Sequence, residues 1–523
     1  MKSHSLKFLR IVVAIVSLFA FTWLFVDFTG AAAVRLAWLA KIQLVPALLA
    51  VNVVAILILA LLTLVFGRLY CSVICPLGIT QDIVIWLRRV FSSKKNRRLG
   101  LYRFTPELKA WRYGFLGLFI VVAVLGLISL VPMSFAGILD PYSIYGRIAG
   151  QGIVPLWRAG ASAVAEAQAA NGNYLFAGEV PAALANFNIA VSVVAAVTFI
   201  IVAVFAIRTG RGYCNTVCPV GTILGFLSRF SLLRPLIDES KCNRCGSCGR
   251  KCKAKCIDTK NHVIDLSRCV VCLDCINNCT QGAISYGFRR KTVKKAVAAE
   301  STPSAVKAEK TDNSRRAFLV GTAIVAGAAA ASAADKVTDG GLAPIKAKKR
   351  HKDAAPAVPA GAISLRHFRS HCTACQLCIS ECPNNVLRPG TSLDGFMQPV
   401  MVFTDGFCRT DCNRCSQVCP TGALRPIPVE EKTAWKIGTA VVDPEICISA
   451  AYGQACGNCV RHCPAEAIAM VKGENGHMRP VVNESICIGC GNCEYHCPAG
   501  RAGQLSSNKA AIYVNGIEVH QKI

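Results

Sequence analysis

Twenty-nine cysteines among 523 residues are the chain's main chemical resource, and their spacing decides what they can do. An odd number excludes a framework made only of paired disulfides. Cys242, Cys245, Cys248 and Cys252 follow the pattern C-x2-C-x2-C-x3-C, and Cys269, Cys272, Cys275 and Cys279 repeat it. This is the spacing of two-cluster bacterial ferredoxins, in which three close thiolates hold one Fe–S cube and the fourth reaches the other. The expected ligand sets are therefore Cys242, Cys245, Cys248 with Cys279, and Cys269, Cys272, Cys275 with Cys252. The proline that usually follows each fourth cysteine is replaced by Lys253 and Thr280. A zinc ribbon has no cysteines at the third and fourth offsets.

Four further motifs lie beyond residue 360: Cys372, Cys375, Cys378, Cys382; Cys408, Cys412, Cys415, Cys419; Cys447, Cys456, Cys459, Cys463; and Cys487, Cys490, Cys493, Cys497. Each ends in Cys-Pro, at Pro383, Pro420, Pro464 and Pro498. Three residues rather than two separate Cys408 from Cys412, and eight separate Cys447 from Cys456. Such insertions re-route a loop without removing a ligand, so the expectation is six [4Fe–4S] clusters. Spacing leaves the fourth ligand of each of these four cubes open. Cys256 belongs to no motif and reads as a spare thiol.

The last four cysteines form a repeat. Gly67-Arg-Leu-Tyr-Cys71-x3-Cys75-Pro-Leu-Gly78 matches Gly210-Arg-Gly-Tyr-Cys214-x3-Cys218-Pro-Val-Gly221. A duplicated two-helix unit follows from this. If each pair opens a helix, its cysteines face one side, and Cys71 and Cys75 meet Cys214 and Cys218 across a pseudo-twofold axis. Three readings stand together: a four-thiolate metal or cluster site, thiol redox chemistry or the lining of a quinol site, and a structural role for buried thiols.

These residues need elements to hold them, and composition says which. The chain is 53% hydrophobic and 17% charged, well below the charge content of a soluble protein. Four apolar runs of spanning length stand out: Leu9–Val26, Leu44–Gly67, Phe115–Gly137 and Ile189–Ile207. The net charge of +28 is almost all in residues 1–360, beside these runs, while residues 361–523 are nearly neutral. Arg68 to Arg112 is strongly basic, including Arg88, Arg89, Lys94, Lys95, Arg97 and Arg98, whereas the other two loops hold only Arg35, Lys41, Arg147 and Arg158. The N-terminus, the basic loop and the residues after Ile207 are thus expected in the cytoplasm. The charge is a topology signal, and nucleic acid is not an expected partner. The lipid bilayer is.

Asn313-Ser-Arg-Arg-Ala-Phe-Leu319, followed by the small apolar run Val320–Ala334, resembles a twin-arginine export signal within the chain. It predicts that residues beyond it are delivered, folded and cofactor-loaded, to the periplasm; the alternatives are a domain retained in the cytoplasm and a plain linker. The basic residues Lys346, Lys348, Lys349, Arg350 and Lys352 after the run sit awkwardly with export.

The expected organisation is multi-domain: a four-helix α transmembrane bundle plus two α+β bacterial-type ferredoxin domains. The membrane domain covers 1–228 and the cytoplasmic two-cluster ferredoxin 229–290. A linker with the internal signal or anchor (314–334) covers 291–360, and the four-cluster periplasmic ferredoxin covers 361–523. No histidine lies in a span, so a bis-histidine b-type haem is not expected, nor is a carboxylate relay across the bilayer. No C-x-x-C-H, strand-coupled G-x-G-x-x-G or flavin-attachment motif appears, so neither covalent haem nor flavin is expected.

Residues 1–290, with four spans, two C-x3-C-P motifs and a two-cluster ferredoxin, resemble the NapH family of membrane quinol dehydrogenases. Residues 311–523 resemble NapG, its exported four-cluster partner. The resemblance implies a bacterial inner-membrane protein of anaerobic respiration that oxidises menaquinol or ubiquinol. Electrons would pass through [4Fe–4S] clusters to a periplasmic cytochrome c or terminal reductase. The quinol-site candidates beside the repeat are Arg68, Gln81, Asp82 and Arg211. The alternative is a membrane iron–sulfur factor for assembly, maturation or redox regulation of a respiratory enzyme.

Overall fold

The computed structural model describes residues 3–92, 102–171, 187–288, 338–339, 343–344, 348–351, 354–499 and 508–523. The internal signal at 313–334, the 291–312 linker and the basic residues Lys94, Lys95, Arg97 and Arg98 lie outside the described residues.

Among the described residues three helices are long and apolar enough to cross a membrane: Ser3–Val26, Lys109–Leu127 and Ile189–Thr209. At 1.5 Å per residue they reach roughly 28–36 Å, against about 30 Å of hydrocarbon. Their apolar side chains face outward as well as inward: Ile15, Val121 and Ile200 are each more than half exposed.

Two expected spans are corrected. The Leu44–Gly67 run is not continuous, because helix Leu44–Leu49 stops and Val51 takes φ 52°. The chain restarts at Asn52, whose side chain accepts from Ala55 N at 3.1 Å and caps helix Val53–Phe66. Its 14 residues reach only about 21 Å. Asn52 is an N-cap residue set in an apolar run, and capping outweighed hydropathy. The Phe115–Gly137 run likewise ends at Leu127, where Ser129 takes φ 65°. Helices Ser134–Gly137, Pro141–Ile148 and Val154–Ala170 follow, the last two joined by the π-helical turn Ala149–Ile153. This segment carries a carboxylate inside the protein. Asp140, 1% exposed, accepts from Ser143 N at 2.9 Å, and Arg147 is fully buried nearby.

The long helices have the two cysteine-rich blocks at opposite ends. Near the start of the first helix, Lys7 pairs with Asp274 at 2.7 Å; beyond its end, Phe28 O accepts from Arg414 at 3.0 Å. In the second, Arg112 donates to Ser267 Oγ at 3.0 Å, whereas past the far end Met133 N donates to Arg369 O at 3.0 Å. The third begins beside Pro389, whose carbonyl accepts from Asn188, and ends where Arg211 N donates to Lys253 O at 2.8 Å.

The first block is closed by antiparallel strands Leu233–Ile237 and Ile284–Phe288. Short strands Ile257–Asp258 and Val263–Ile264 form its inner hairpin. In the second block Leu387–Pro389 pairs with Pro399–Met401 and Ile468–Lys472 with Met478–Val482. The C-terminal strand Ile512–Lys522 returns to pair with Trp435–Val442. Lys348 donates to Glu494 O and Tyr495 O at 2.8 and 2.6 Å. Part of the basic stretch after the internal signal is therefore packed into this block.

Candidate iron–sulfur sites and a membrane groove

Each half of the repeat is one helical turn, a break, and a new helix. Cys71 lies in helix Tyr70–Val73 and Cys75 is the N-cap of Pro76–Phe91; Cys214 lies in Gly212–Thr216 and Cys218 caps Pro219–Ser228. The pairs thus do not share one helix face as expected, because the proline after each second cysteine starts a fresh helix. They converge all the same, each of the four being at most 5% exposed. The halves also grip each other reciprocally. Arg68 donates to Cys214 O at 3.1 Å and Arg211 to Cys71 O at 3.0 Å. A Cβ at Gly78 would collide with Cys71 O, and one at Gly221 with Cys214 O.

Arg68, Gln81, Asp82 and Arg211 build the cage around these thiols. Asp82 receives Arg211 at 2.8 Å, Lys253 at 2.7 Å and Arg10 at 3.3 Å. Arg68 also reaches Asn215 at 2.7 Å and Ser267 O at 2.8 Å, and Gln81 Nε2 approaches Cys214 Sγ at 3.2 Å. Cations and N–H donors around four thiols suit a negatively charged centre.

The ferredoxin motifs pair crosswise. Cys242, Cys245, Cys248 and Cys279 line one cavity; Cys269, Cys272, Cys275 and Cys252 line another, joined there by Cys256. Beyond residue 360, Cys408, Cys412 and Cys415 share a cavity with Cys382, and Cys447, Cys456 and Cys459 share one with Cys497. Cys419 interacts with Cys372, Cys375 and Cys378, and Cys463 with Cys490. The eight residues between Cys447 and Cys456 contain the helix Ile448–Tyr452, ended by Gly453 at φ 64°. Backbone N–H groups point at several thiols, as Ala467 N does at Cys463 Sγ (3.2 Å). Among the described residues no three His, Cys, Asp or Glu side chains close around a single metal ion, in these sets or in the membrane quartet. Thiols spaced around a wider centre fit a cube.

Sequence reasoning missed one charged neighbour, Lys432, which donates to Cys408 Sγ at 3.1 Å. Burial lowers its pKa, but the Cys408 and Cys415 thiolates more than offset that, leaving it raised. Burial also pushes the Glu494 carboxyl up to about 7, against the N–H of Val514 at 2.9 Å and the nearby Arg350 and Lys348 charges.

A groove of about 800 Å³ runs between helices Lys109–Leu127 and Ile189–Thr209. Its walls are apolar, with Trp111, Phe115, Ile201 and Phe205, and it extends to Ile138 and Ile144. Its polar lining includes Tyr213, Asn215, Thr216, Lys255 and Arg268, from the repeat and the first ferredoxin, and Thr105, Thr198 and Thr209 on or beside the two helices. Ala254 lines both this groove and the cavity of Cys252, Cys256, Cys269, Cys272 and Cys275. None of Arg68, Gln81, Asp82 or Arg211 lines it. No local motif could have revealed the groove, because its lining comes from separate stretches of chain.

The family described as "4Fe-4S binding domain" matches residues 48–95 and 191–237, the two halves of the repeat with both cysteine pairs. The family described as "4Fe-4S dicluster domain" matches residues 371–423 and 454–501. The chain is 33% identical over 123 residues to the ferredoxin-type protein NapF of Escherichia coli K12, covering 24% of this chain and 68% of that one. The chain belongs to the NapF family of ferredoxin-type proteins. It is also 36% identical over 144 residues to the methylamine utilization ferredoxin-type protein MauM of Methylobacillus flagellatus, covering 25% of this chain. With the MauN protein of the same organism it shares 27% identity over 187 residues, or 36% of this chain. The chain spans 59% of the length of that MauM and 48% of that MauN. No solved structure matches. The two family matches make the chain an iron–sulfur protein of ferredoxin type with 4Fe–4S binding domains.

Proposed function

We propose that this chain oxidises a membrane quinol and carries its electrons, singly, from the groove to the far side of the bilayer. This is the role of a NapH-type membrane unit fused to a NapG-type ferredoxin. The observation that carries the reading is the groove. It is mostly apolar, lined by two helices of spanning length, as an isoprenoid tail requires, and it carries Tyr213, Thr216 and Lys255 where a headgroup would sit. Its wall at Ala254 is shared with a five-cysteine cavity, and Tyr213 to Val217 join it to the membrane quartet.

The residues would hold seven [4Fe–4S] clusters. Two belong to the first ferredoxin, four to the block beyond residue 360, and one to Cys71, Cys75, Cys214 and Cys218. When bound, these clusters supply one-electron carriers. The chain's own residues do the rest. Tyr213, Thr216 and Lys255 offer hydrogen-bonding groups to the quinol oxygens. Trp111, Phe115 and Phe205 keep water from the tail. Each quinol releases two electrons to neighbouring carriers and two protons to solvent past the half-buried Lys255.

Placement of the blocks at opposite ends of the long helices supports a trans-bilayer course, with the 361–523 block periplasmic and its acceptor a cytochrome c or terminal reductase. Close backbone docking supports the handover. Gly137 abuts Thr373 O and Gly146 abuts Cys375 O, Ser143 Oγ donates to Thr373 at 2.9 Å, and Tyr142 is buried nearby.

The test is anaerobic mixing of the purified full chain with reduced menaquinol and ubiquinol analogues, read by EPR. Reduced-cluster signals are expected to appear. Clusters that dithionite reduces but no quinol does would overturn the reading and favour a maturation role.

A further inference from the structure

Cys256 is the one cysteine that no motif claims, yet it is not alone. It is 2% exposed, and its Sγ lies 3.5 Å from Cys252 Sγ. It lines the same cavity as Cys252, Cys269, Cys272 and Cys275.

Its position in the motif explains how it gets there. Cys256 is the fourth residue after the last cysteine of its motif. In four of the other five motifs the equivalent positions are Ala283, Val386, Ala423 and Ala467, each at most 2% exposed; Arg501 of the last motif lies outside the described residues. The fold thus places a small side chain at this point, and here that side chain is a thiol. Burial as a small apolar residue accounts for the position; what Ala283, Val386, Ala423 and Ala467 lack is a sulfur, and that of Cys256 reaches to 3.5 Å from Cys252 Sγ. The backbone is pinned on both sides, with Lys255 N donating to Cys252 O at 3.2 Å and Asp265 N to Cys256 O at 2.8 Å.

We propose that Cys256 is a reserve ligand, a fifth thiol that can take the place of Cys252 on the cluster of this cavity. The exchange is balanced by one proton. Cys256 gives up its thiol proton as its sulfur binds iron, and Cys252 takes a proton as its sulfur leaves. No electron moves and no oxidant is needed. Cys256 thereby gives the ferredoxin next to the groove two interchangeable forms of one carrier. The inference rests on the reading that Cys252, Cys269, Cys272 and Cys275 hold a cluster.

Full-length Cys252→Ala, Cys256→Ala and the double variant decide it, by iron per chain and EPR of the dithionite-reduced protein. Each single variant is expected to keep wild-type iron, with Cys252→Ala showing an altered line shape. The double variant is expected to lose the iron of one cluster. Loss of that iron in Cys252→Ala alone, or in Cys256→Ala alone, would overturn the proposal. Full iron in the double variant would instead sink the underlying reading of this cavity as a cluster site. Where Cys252→Ala does not accumulate, Cys252→Ser replaces it with the same expected and overturning iron contents.

Discussion

The guanidinium of Arg211 donates to the carbonyl oxygen of Cys71 at 3.0 Å, reaching from one half of the repeat into the other. Arg68 answers it by donating to Cys214 O at 3.1 Å. Each arginine therefore fixes the cysteine loop opposite its own. The duplication is thus a structural symmetry as well as a sequence one.

Asp82 is the shared counter-ion of this arrangement, facing Arg211, Lys253 and Arg10. Removing its charge leaves buried cations uncompensated, a loss of about 3–5 kcal/mol. Asp82→Asn should lower the thermal stability of the detergent-solubilised chain by that order. Arg35→Gln, which touches none of these groups, should leave it unchanged. Differential scanning fluorimetry checks both.

Gly146 lets the membrane segment touch Cys375 O by backbone alone. Gly146→Ala should force the 361–523 block away from the bundle. Stopped-flow reduction by quinol should then reduce clusters of the first ferredoxin normally and those beyond residue 360 at least tenfold more slowly. Gly152→Ala, with open space around its Cβ, should behave as wild type.

The groove offers a separate handle. Ile201→Trp should fill it, raising the quinol concentration needed for half-maximal reduction about tenfold. Reduction by dithionite, which needs no groove, should be unaffected. Equal slowing with both reductants would show that the substitution damaged the carriers instead.

His520, 6% exposed in the C-terminal strand, gives a pH dependence. Burial lowers its pKa from 6.5 to about 4, with a backbone contact at Ala362 opposing the shift. Its depressed folded pKa favours the neutral ring. The resulting stability is complete above about 6.5 and is lost as pH falls from there toward 4. Hydrogen-exchange protection of Ile512–Lys522 should therefore weaken between pH 7 and 5. His520→Gln should flatten that dependence.

The sequence by itself determined the chemistry of this protein. Cysteine spacing is a local covalent fact, and a cube needs close thiolates in one short loop, so each motif could be recognised without a fold. The apolar content and the Gly-Arg-x-Tyr-Cys repeat were legible for the same reason. Tertiary structure decided what depends on competition or on distance along the chain. Asn52 and Ser129 broke two apolar runs because capping and a left-handed turn outweighed hydropathy there. Asp140 and Arg147, which composition leaves in a water-facing loop, are buried because the Pro141–Ile148 helix packs inward against Phe21 and Phe25. Cys256 reads as a leftover until the turn at Lys255 brings its sulfur beside Cys252. The groove existed nowhere in the sequence, since Trp111, Ile201, Lys255 and Arg268 meet only after the long helices and the first ferredoxin have packed together.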